Sequence, residues 1–204
     1  IQFPKTPNKV PFFQKHDNYI KWIEGNIQKG NMQNIRHFWS SIRPNGPKRP
    51  HVLDRLELRI CDYVSDVNLL LAITALLELR VIYLFENFET LDPLITSKFS
   101  LEELPKICDH NEIKAAQNSL DAELIHWSQG KKIICREWIE SLLEDLSLMA
   151  RKLNMNDLLE PIYKTLEEGN QSMKWIRQYK KGLSIEEIMK YADEEMIKSE
   201  KESI

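Results

Sequence analysis

The sequence predicts an α+β fold, with part of an antiparallel sheet followed by a mostly helical C-terminal part. Two stretches, at about 35–43 and 52–62, alternate polar and apolar residues with the period of β-strands. Between them lies PNGPKRP, where we expect a rigid loop outside the ladder because proline offers no backbone donor. After Asp62 the apolar residues recur at helical spacing, so we expect only helices from there on.

The second strand contains RLELRICD and has its charges on one face. Arg55, Glu57 and Arg59 stand at every second position with aliphatic residues between them, and side chains alternate faces along a strand. The preceding strand ends with Arg43, so an antiparallel pairing would surround Glu57 with arginines. Arginine is well shaped to bind carboxylate or phosphate, and one carboxylate suits Mg²⁺ when nucleotide phosphates complete its shell. A structural ladder of ion pairs explains the same pattern, and the residue types alone leave both interpretations open.

Helices are predicted from apolar spacing and capping residues. Asp17 is expected to cap a first helix that ends near Gly30, and Ser65 or Asp66 to start a long helix that reaches about Phe88. Polar residues interrupt the apolar run of that long helix, which favours a buried helix over a membrane span. Its buried face is expected to comprise Leu69, Ile73, Leu76, Leu77, Val81 and Leu84. Further helices are expected near 110–128, 135–153, 156–168 and 170–181, with capping boxes at Ser100–Glu103 and Ser184–Glu187.

The overall composition is that of a soluble globular protein. Its 42% hydrophobic residues can form a core, and the net charge of −3 gives no sign of a nucleic-acid-binding surface. Three cysteines without ligand or disulfide spacing favour the reduced, cytoplasmic state. The first residue is Ile1 rather than an initiator Met, which suggests a piece of a longer chain.

Three features in this order resemble the carboxylate–amine ligases of the glutamate–cysteine ligase superfamily, most closely the cyanobacterial-type glutamate–cysteine ligases. In that family a strand ending in Ile-Arg-Pro precedes a strand of the form Leu-Glu-x-Arg-x-x-Asp, and a long apolar helix follows. Here these features occupy residues 39–44, 56–62 and 67–85. The likeness continues through NEIKAAQNSLDAELIHW and EPIYKTLEEGNQSMKW, and so covers most of the chain. It implies the C-terminal part of a glutamine-synthetase-like ligase domain over residues 1–190, with a frayed charged tail over 191–204.

The resemblance also implies roles for individual residues. Glu57 matches the family's acidic magnesium ligand, and Arg59 matches the arginine that contacts the transferring phosphoryl group. Arg43 is a candidate for holding a substrate carboxylate. Trp39 and Ser41 share its strand face and could line the pocket.

Three further basic residues have two interpretations each. Arg55 either contacts a ligand or forms an ion pair with Glu57 or Asp54. Lys48 and Arg49, in the loop, either hold nucleotide phosphates or are merely exposed.

The implied reaction is the ATP- and Mg²⁺-dependent joining of L-glutamate to L-cysteine, the first step of glutathione biosynthesis. A related ligase with another amine acceptor and a non-catalytic helical interaction module are the alternatives. Several metal-binding carboxylates of this family lie in an N-terminal half that this sequence lacks, so we expect the chain to be inactive alone. The family's Trp and Arg are also missing from the helix at 111–120, where we expect Asn111 to cap the helix.

Overall fold

The structure, a computed structural model, describes residues 11–13, 15–33, 42–45, 55–58 and 63–202, of which 42–45 and 55–58 are described by their backbone. The chain divides into two compact units, Ile1–Asp62 and Tyr63–Ile204.

In the first unit, helix α1 (His16–Gln28) buries Tyr19 and Ile23 against Met32. Phe13 closes this small core, its ring lying 5.5 Å from that of Tyr19. The predicted cap was wrong, because Lys15 occupies the capping position and Asp17 lies inside the first turn. A carboxylate there still faces the positive end of the helix dipole.

The first unit also contains an antiparallel ribbon of strands β1 (Ile42–Asn45) and β2 (Arg55–Leu58). This confirms the expected strand pair, but the expected loop was wrong at its start, since Pro44 and Asn45 belong to the ladder. Each strand of a two-stranded ribbon has an unpaired edge, which is where proline is tolerated. The rest of the expected strands, 35–41, 52–54 and 59–62, lies outside the described residues.

The second unit begins with the long helix α2 (Val67–Glu86). Its predicted start is confirmed, because the Asp66 carboxylate accepts hydrogen bonds from the backbone N–H groups of Asn68 and Leu69. The helices that follow are α3 (Phe88–Leu91), α4 (Pro93–Thr96), α5 (Glu103–Asn118), α6 (Cys135–Lys152), α7 (Glu160–Glu168), α8 (Gln171–Lys180) and α9 (Ile185–Glu202).

The buried face of α2 matches the predicted one only in part. Leu69 and Leu76 pack against the core as expected, whereas Leu77 and Val81 are not among the core residues. Ala72, Ala75 and Leu79 are its buried residues, and they pack in a common core with α6 and α7. Because apolar residues occur on most sides of α2, their spacing does not select one face, whereas the small alanines allow other helices to approach closely. The core partners are Leu120, Leu143, Leu146, Met149, Ala150, Leu159, Ile162 and Leu166.

Helix α2 is also, among the described residues, the one helix long and apolar enough to cross a membrane by length and composition. Its mean hydropathy over 18 residues is 1.9, and 17% of that window is buried. The core helix of a soluble protein passes the same test, and Ala72, Ala75 and Leu79 of α2 lie in the core of the second unit.

A β-hairpin interrupts the expected run of helices. Helix α5 ends at Asn118, and strands β3 (Glu123–Ile125) and β4 (Lys132–Ile134) follow, so the expected helix near 110–128 was wrong in its second half. Gly130 lies in the connecting loop with φ +67°, and a Cβ atom there would come within 2.6 Å of the Phe99 ring. A residue with a side chain would therefore be both strained and crowded at this turn.

The remaining helices match their expected positions. Ser184 and Glu187 form the predicted capping box, with the Glu187 carboxylate accepting from the Ser184 backbone N–H at 2.8 Å and the Glu187 N–H donating back to the Ser184 hydroxyl at 3.2 Å. Helix α9 is helical through Glu202, including most of the 191–204 segment expected to fray. Ser199 near its end donates to the Asp66 carboxylate at 3.2 Å, which joins α9 to the start of α2.

Candidate functional site

The ribbon brings the predicted charged residues into one register. Arg43 lies directly opposite Glu57, and Asn45 directly opposite Arg55. Residues opposite each other in an antiparallel ladder share a face, as do alternate residues of one strand, so these four positions lie on one face of the ribbon. Directly opposed Cβ atoms are about 4.5–5.5 Å apart in such ladders. The register therefore confirms the expectation that an arginine position lies directly across the ladder from Glu57.

The other face of the ribbon is apolar. Ile42 pairs with Leu58 and Pro44 with Leu56, so all four positions on that face carry apolar residues. A two-stranded ribbon is only marginally stable in water unless more strands join it or another layer covers it. The ribbon therefore has the composition of a sheet fragment with one face for burial and one for polar chemistry.

Five of the predicted site residues, Trp39, Ser41, Lys48, Arg49 and Arg59, lie outside the described residues, and their roles stay predictions. Arg55 stands two residues from Glu57 on the same face. This placement is compatible with both of its interpretations, a ligand contact and an ion pair.

The described residues supply part of a magnesium site at most. Nowhere in the described ranges do three His, Cys, Asp or Glu residues come together in an arrangement that could hold a metal ion. Proteins usually hold Mg²⁺ through one or two carboxylates, with waters and phosphates completing the octahedron. Glu57 fits the role of one such ligand, and further protein ligands would have to come from outside the described residues.

A polar cleft of about 410 Å³ lies on the second unit between α7, α8 and α9. Its main cations are already engaged, since Lys174 pairs with the Glu168 carboxylate at 3.1 Å. Arg177 donates to the Glu168 backbone carbonyl at 2.6 Å. Basic side chains at the C-terminus of a helix commonly satisfy its last carbonyls, so these contacts have a structural role.

His126 is the centre of an aromatic cluster that the sequence did not predict. Its ring lies 5.4 Å from that of Trp127 and 4.9 Å from that of Trp138. Its Nδ1 atom lies 3.2 Å from the Ser128 backbone N–H, which donates to it. Burial, and then the positive charge of Arg80, lower the pKa of His126, so the neutral imidazole is favoured. The alternation of aromatic and polar residues in IHWS is the one sequence signal that points to this cluster.

Asn111 has a different role from the expected cap. It lies in the middle of α5, and its amide group donates to the Ile125 carbonyl and accepts from the Ile125 N–H, both at 2.8 Å. The side chain thus takes the place of a neighbouring strand along the outer edge of β3. Helix spacing alone could not reveal this contact, because it depends on where the hairpin lies.

Comparisons with known proteins agree with the resemblance seen in the sequence. The model of the Glutamate-cysteine ligase family 2 (GCS2) matches residues 2–203. A protein of Solibacter usitatus named "Putative glutamate–cysteine ligase 2" is 25% identical over 196 residues, which are 95% of this chain and 47% of the relative. A protein of the same name in Gloeobacter violaceus is 27% identical over 180 residues, 86% of this chain and 45% of the relative. The chain therefore spans about half the length of the curated relatives it matches.

Proposed function

Because this chain belongs to the Glutamate-cysteine ligase family 2, we propose that it is part of an ATP-dependent ligase that joins L-glutamate to L-cysteine. The observation that carries this proposal is the register in which Arg43 opposes Glu57, with Arg55 on the same face. The names of the relatives support a ligase of this kind. Since the chain spans about half their length, the activity is proposed for the complete protein.

The proposed reaction has two steps. The side-chain carboxylate of glutamate attacks the γ-phosphorus of ATP, so that ADP leaves and γ-glutamyl phosphate forms. The amine of cysteine then attacks the acyl carbon, loses a proton and displaces inorganic phosphate, which yields γ-glutamylcysteine. Phosphoryl transfer requires mainly positioning and stabilisation of charge, so an array of arginines and carboxylates suits it without a nucleophilic side chain.

Each charged position of the ribbon has a proposed role. Glu57 supplies one carboxylate to Mg²⁺, which when bound neutralises charge on the nucleotide phosphates. Arg43 holds a carboxylate of the substrate, for which its planar guanidinium is suited. Arg59 contacts the transferring phosphoryl group, and Arg55 either supports it or pairs with Glu57.

The remaining proposed contacts come from the residues around the two strands. Trp39 and Ser41 line the substrate pocket beside Arg43. Lys48 and Arg49, between the strands, contact the nucleotide phosphates. These roles rest on the family resemblance of the motif that contains these residues.

The proposal includes a reducing compartment such as the cytoplasm. Within the described part of the chain, Cys108 and Cys135 are both free thiols. Burial raises the pKa of the Cys135 thiol, and partial desolvation together with the nearby Glu112 and Asp109 carboxylates raises the pKa of the more exposed Cys108 thiol. Both shifts disfavour the reactive thiolate.

The first test is formation of γ-glutamylcysteine by the complete protein and its Glu57→Gln variant. The change keeps the size of the side chain but removes the charge that binds the metal, so we expect a loss of activity of about 100-fold or more. Glu123→Gln is the matched control. Glu123 is also a strand residue that faces a cation, since its carboxylate lies 2.6 Å from the Lys132 amino group, but it belongs to the exposed β3–β4 hairpin. This control is expected to keep nearly full activity.

The other outcomes separate the alternatives. Equal activity in Glu57→Gln and Glu123→Gln would make the charged strand a structural ladder. ADP release with glutamate and another amine, but not with cysteine, would assign a related carboxylate–amine ligase. A complete protein without any ATP turnover would favour the helical interaction module. The 204-residue chain alone is expected to form no product, and measurable product from it would contradict the proposed need for further carboxylates.

A further inference from the structure

A stripe of residues along α2 faces away from the core of the second unit. It consists of Leu70, Thr74, Leu77, Val81 and Phe85, and we call it the outer face of α2. These positions follow one another at spacings of three and four residues, so they form one continuous row along the helix. Leu70 is 49% exposed and Phe85 83% exposed, whereas the buried face of the same helix is almost inaccessible.

The outer face has the character of an internal surface. Its one polar member, Thr74, donates its hydroxyl to the Leu70 carbonyl at 2.9 Å and so needs no polar partner. A helix with apolar residues on most of its sides is normally covered on more than one side. The outer face is therefore suited to an apolar neighbour.

The apolar surface continues beyond the end of α2. Phe88 in α3 is 62% exposed, and Leu94 and Ile95 in α4 are 50% and 69% exposed. Helix α3 contacts both α2 and α4, so these exposed residues lie on elements that directly follow the end of the outer face. Several large apolar side chains exposed on neighbouring elements usually mark an interface.

The length of the relatives indicates what covers this surface. They contain about as much chain again outside the region that matches, and two-stranded ribbons such as β1–β2 need further strands or another layer. An apolar helix face is most commonly buried against a second layer of secondary structure within the same domain. The outer face of α2 thus calls for a second layer supplied by that further chain.

We propose that the outer face of α2 packs against an apolar sheet face in the part of the complete ligase that this chain does not span. The inference rests on the proposed function, since the covering part is taken to be the other half of that ligase. It adds the surface through which the two halves are held together.

The test uses the complete protein and the variants Leu70→Glu and Phe85→Glu. Glutamate forms helices well, so these changes mainly place a charge in the proposed interface. We expect Tm to fall by about 5 °C or more in each variant. Leu148→Glu on α6 is the matched control, because Leu148 is 63% exposed but lies outside the outer face of α2. The Tm of this variant is expected to differ from that of the parent by less than about 2 °C.

A second measurement needs no variant. Hydroxyl-radical footprinting of the complete protein is expected to show Phe85 several-fold less modified than Tyr179, which is 61% exposed on α8. Equal modification of the two rings, or variants that behave like Leu148→Glu, would overturn the proposal.

Two further results would assign the outer face of α2 to a partner other than the rest of the ligase. Conversion of a dimer into a folded monomer by Leu70→Glu, seen in sedimentation velocity, would assign the face to a second copy. Loss of binding to phosphatidylglycerol–phosphatidylcholine vesicles in the variants would assign it to a membrane surface. None of these readouts needs ligase activity, so an inactive protein with a protected Phe85 would refute the function and keep the interface.

Discussion

Ser119 has a backbone conformation that is ordinarily found in glycine. It follows the last residue of α5 with φ 55° and ψ −130°, and such conformations cost a residue with a side chain of the order of 1–3 kcal/mol. Its hydroxyl oxygen accepts a hydrogen bond from the Asn170 amide, whose own oxygen caps α8 by accepting from the Met173 N–H. This hydrogen bond connects the end of α5 to the start of α8 and so helps to hold the strained turn.

Replacement of Ser119 by Ala and by Gly separates the strain from the hydrogen bond. Both changes remove the bond to Asn170, but only glycine relieves the strain, so we expect Ser119→Gly to be about 1–2 kcal/mol more stable than Ser119→Ala. Urea unfolding of the two variants measures this difference. At an ordinary position alanine is the more stabilising residue, so a more stable Ser119→Ala would show that the turn is unstrained.

His126 makes stability depend on pH. Because burial and the Arg80 charge lower its pKa below the ordinary value of 6.5, the unfolded chain binds the proton more readily than the folded one. Stability from this group is thus present above about pH 6.5 and is lost as the pH falls toward the folded-state pKa. Asp145 partly offsets the charge of Arg80, whose own pKa is lowered by burial.

The expected result is a fall in the free energy of unfolding between pH 7.5 and pH 5.5, measured with urea. His126→Gln cannot titrate, so its free energy of unfolding should fall less over the same interval. Identical pH dependence in the parent and the variant would show that His126 is protonated equally well in the folded and unfolded states.

At the scale of elements, Asn111 joins a helix to a hairpin. Its two hydrogen bonds satisfy both backbone groups of Ile125, so α5 supplies β3 with a partner on its outer edge. On its other edge β3 pairs with β4, from Glu123 opposite Ile134 to Ile125 opposite Lys132. The short hairpin therefore has partners on both sides of its first strand, which compensates for its small size.

Asn111→Ala is expected to lower the free energy of unfolding by about 2–3 kcal/mol, because it leaves two partly buried backbone groups of Ile125 without their partner. Gln117→Ala removes an exposed amide from the same helix and should change stability by less than about 0.5 kcal/mol. Urea unfolding measures both. Equal effects of the two substitutions would show that the hydrogen bonds between Asn111 and Ile125 do not stabilise the fold.

At the scale of the whole molecule, the chain combines a complete helical core with an incomplete sheet. The core of α2, α6 and α7 is closed by its own residues, from Ala72 to Leu166. The ribbon β1–β2 has one apolar face and pairs with no further strand among the described residues, and α2 has an apolar outer face. These features agree with a chain that spans about half the length of its relatives.

Local sequence patterns predicted much of this molecule. The period of two in RLELRICD identified a charged strand, Asp66 and Ser184 identified helix starts, and the order of the motifs identified the family. These features depend on residues a few positions apart, where backbone geometry sets which side chains meet.

Only the tertiary structure decided which residues are buried and which elements contact each other. The sequence could not select Ala72 and Ala75 as buried residues of α2, because apolar residues occur on most sides of that helix. It did not reveal the β3–β4 hairpin or the contact of Asn111 with Ile125, since short apolar runs suit helix and strand alike. The pairing of Arg43 with Glu57 likewise required the strand register, because burial and register follow from contacts between residues distant in the chain.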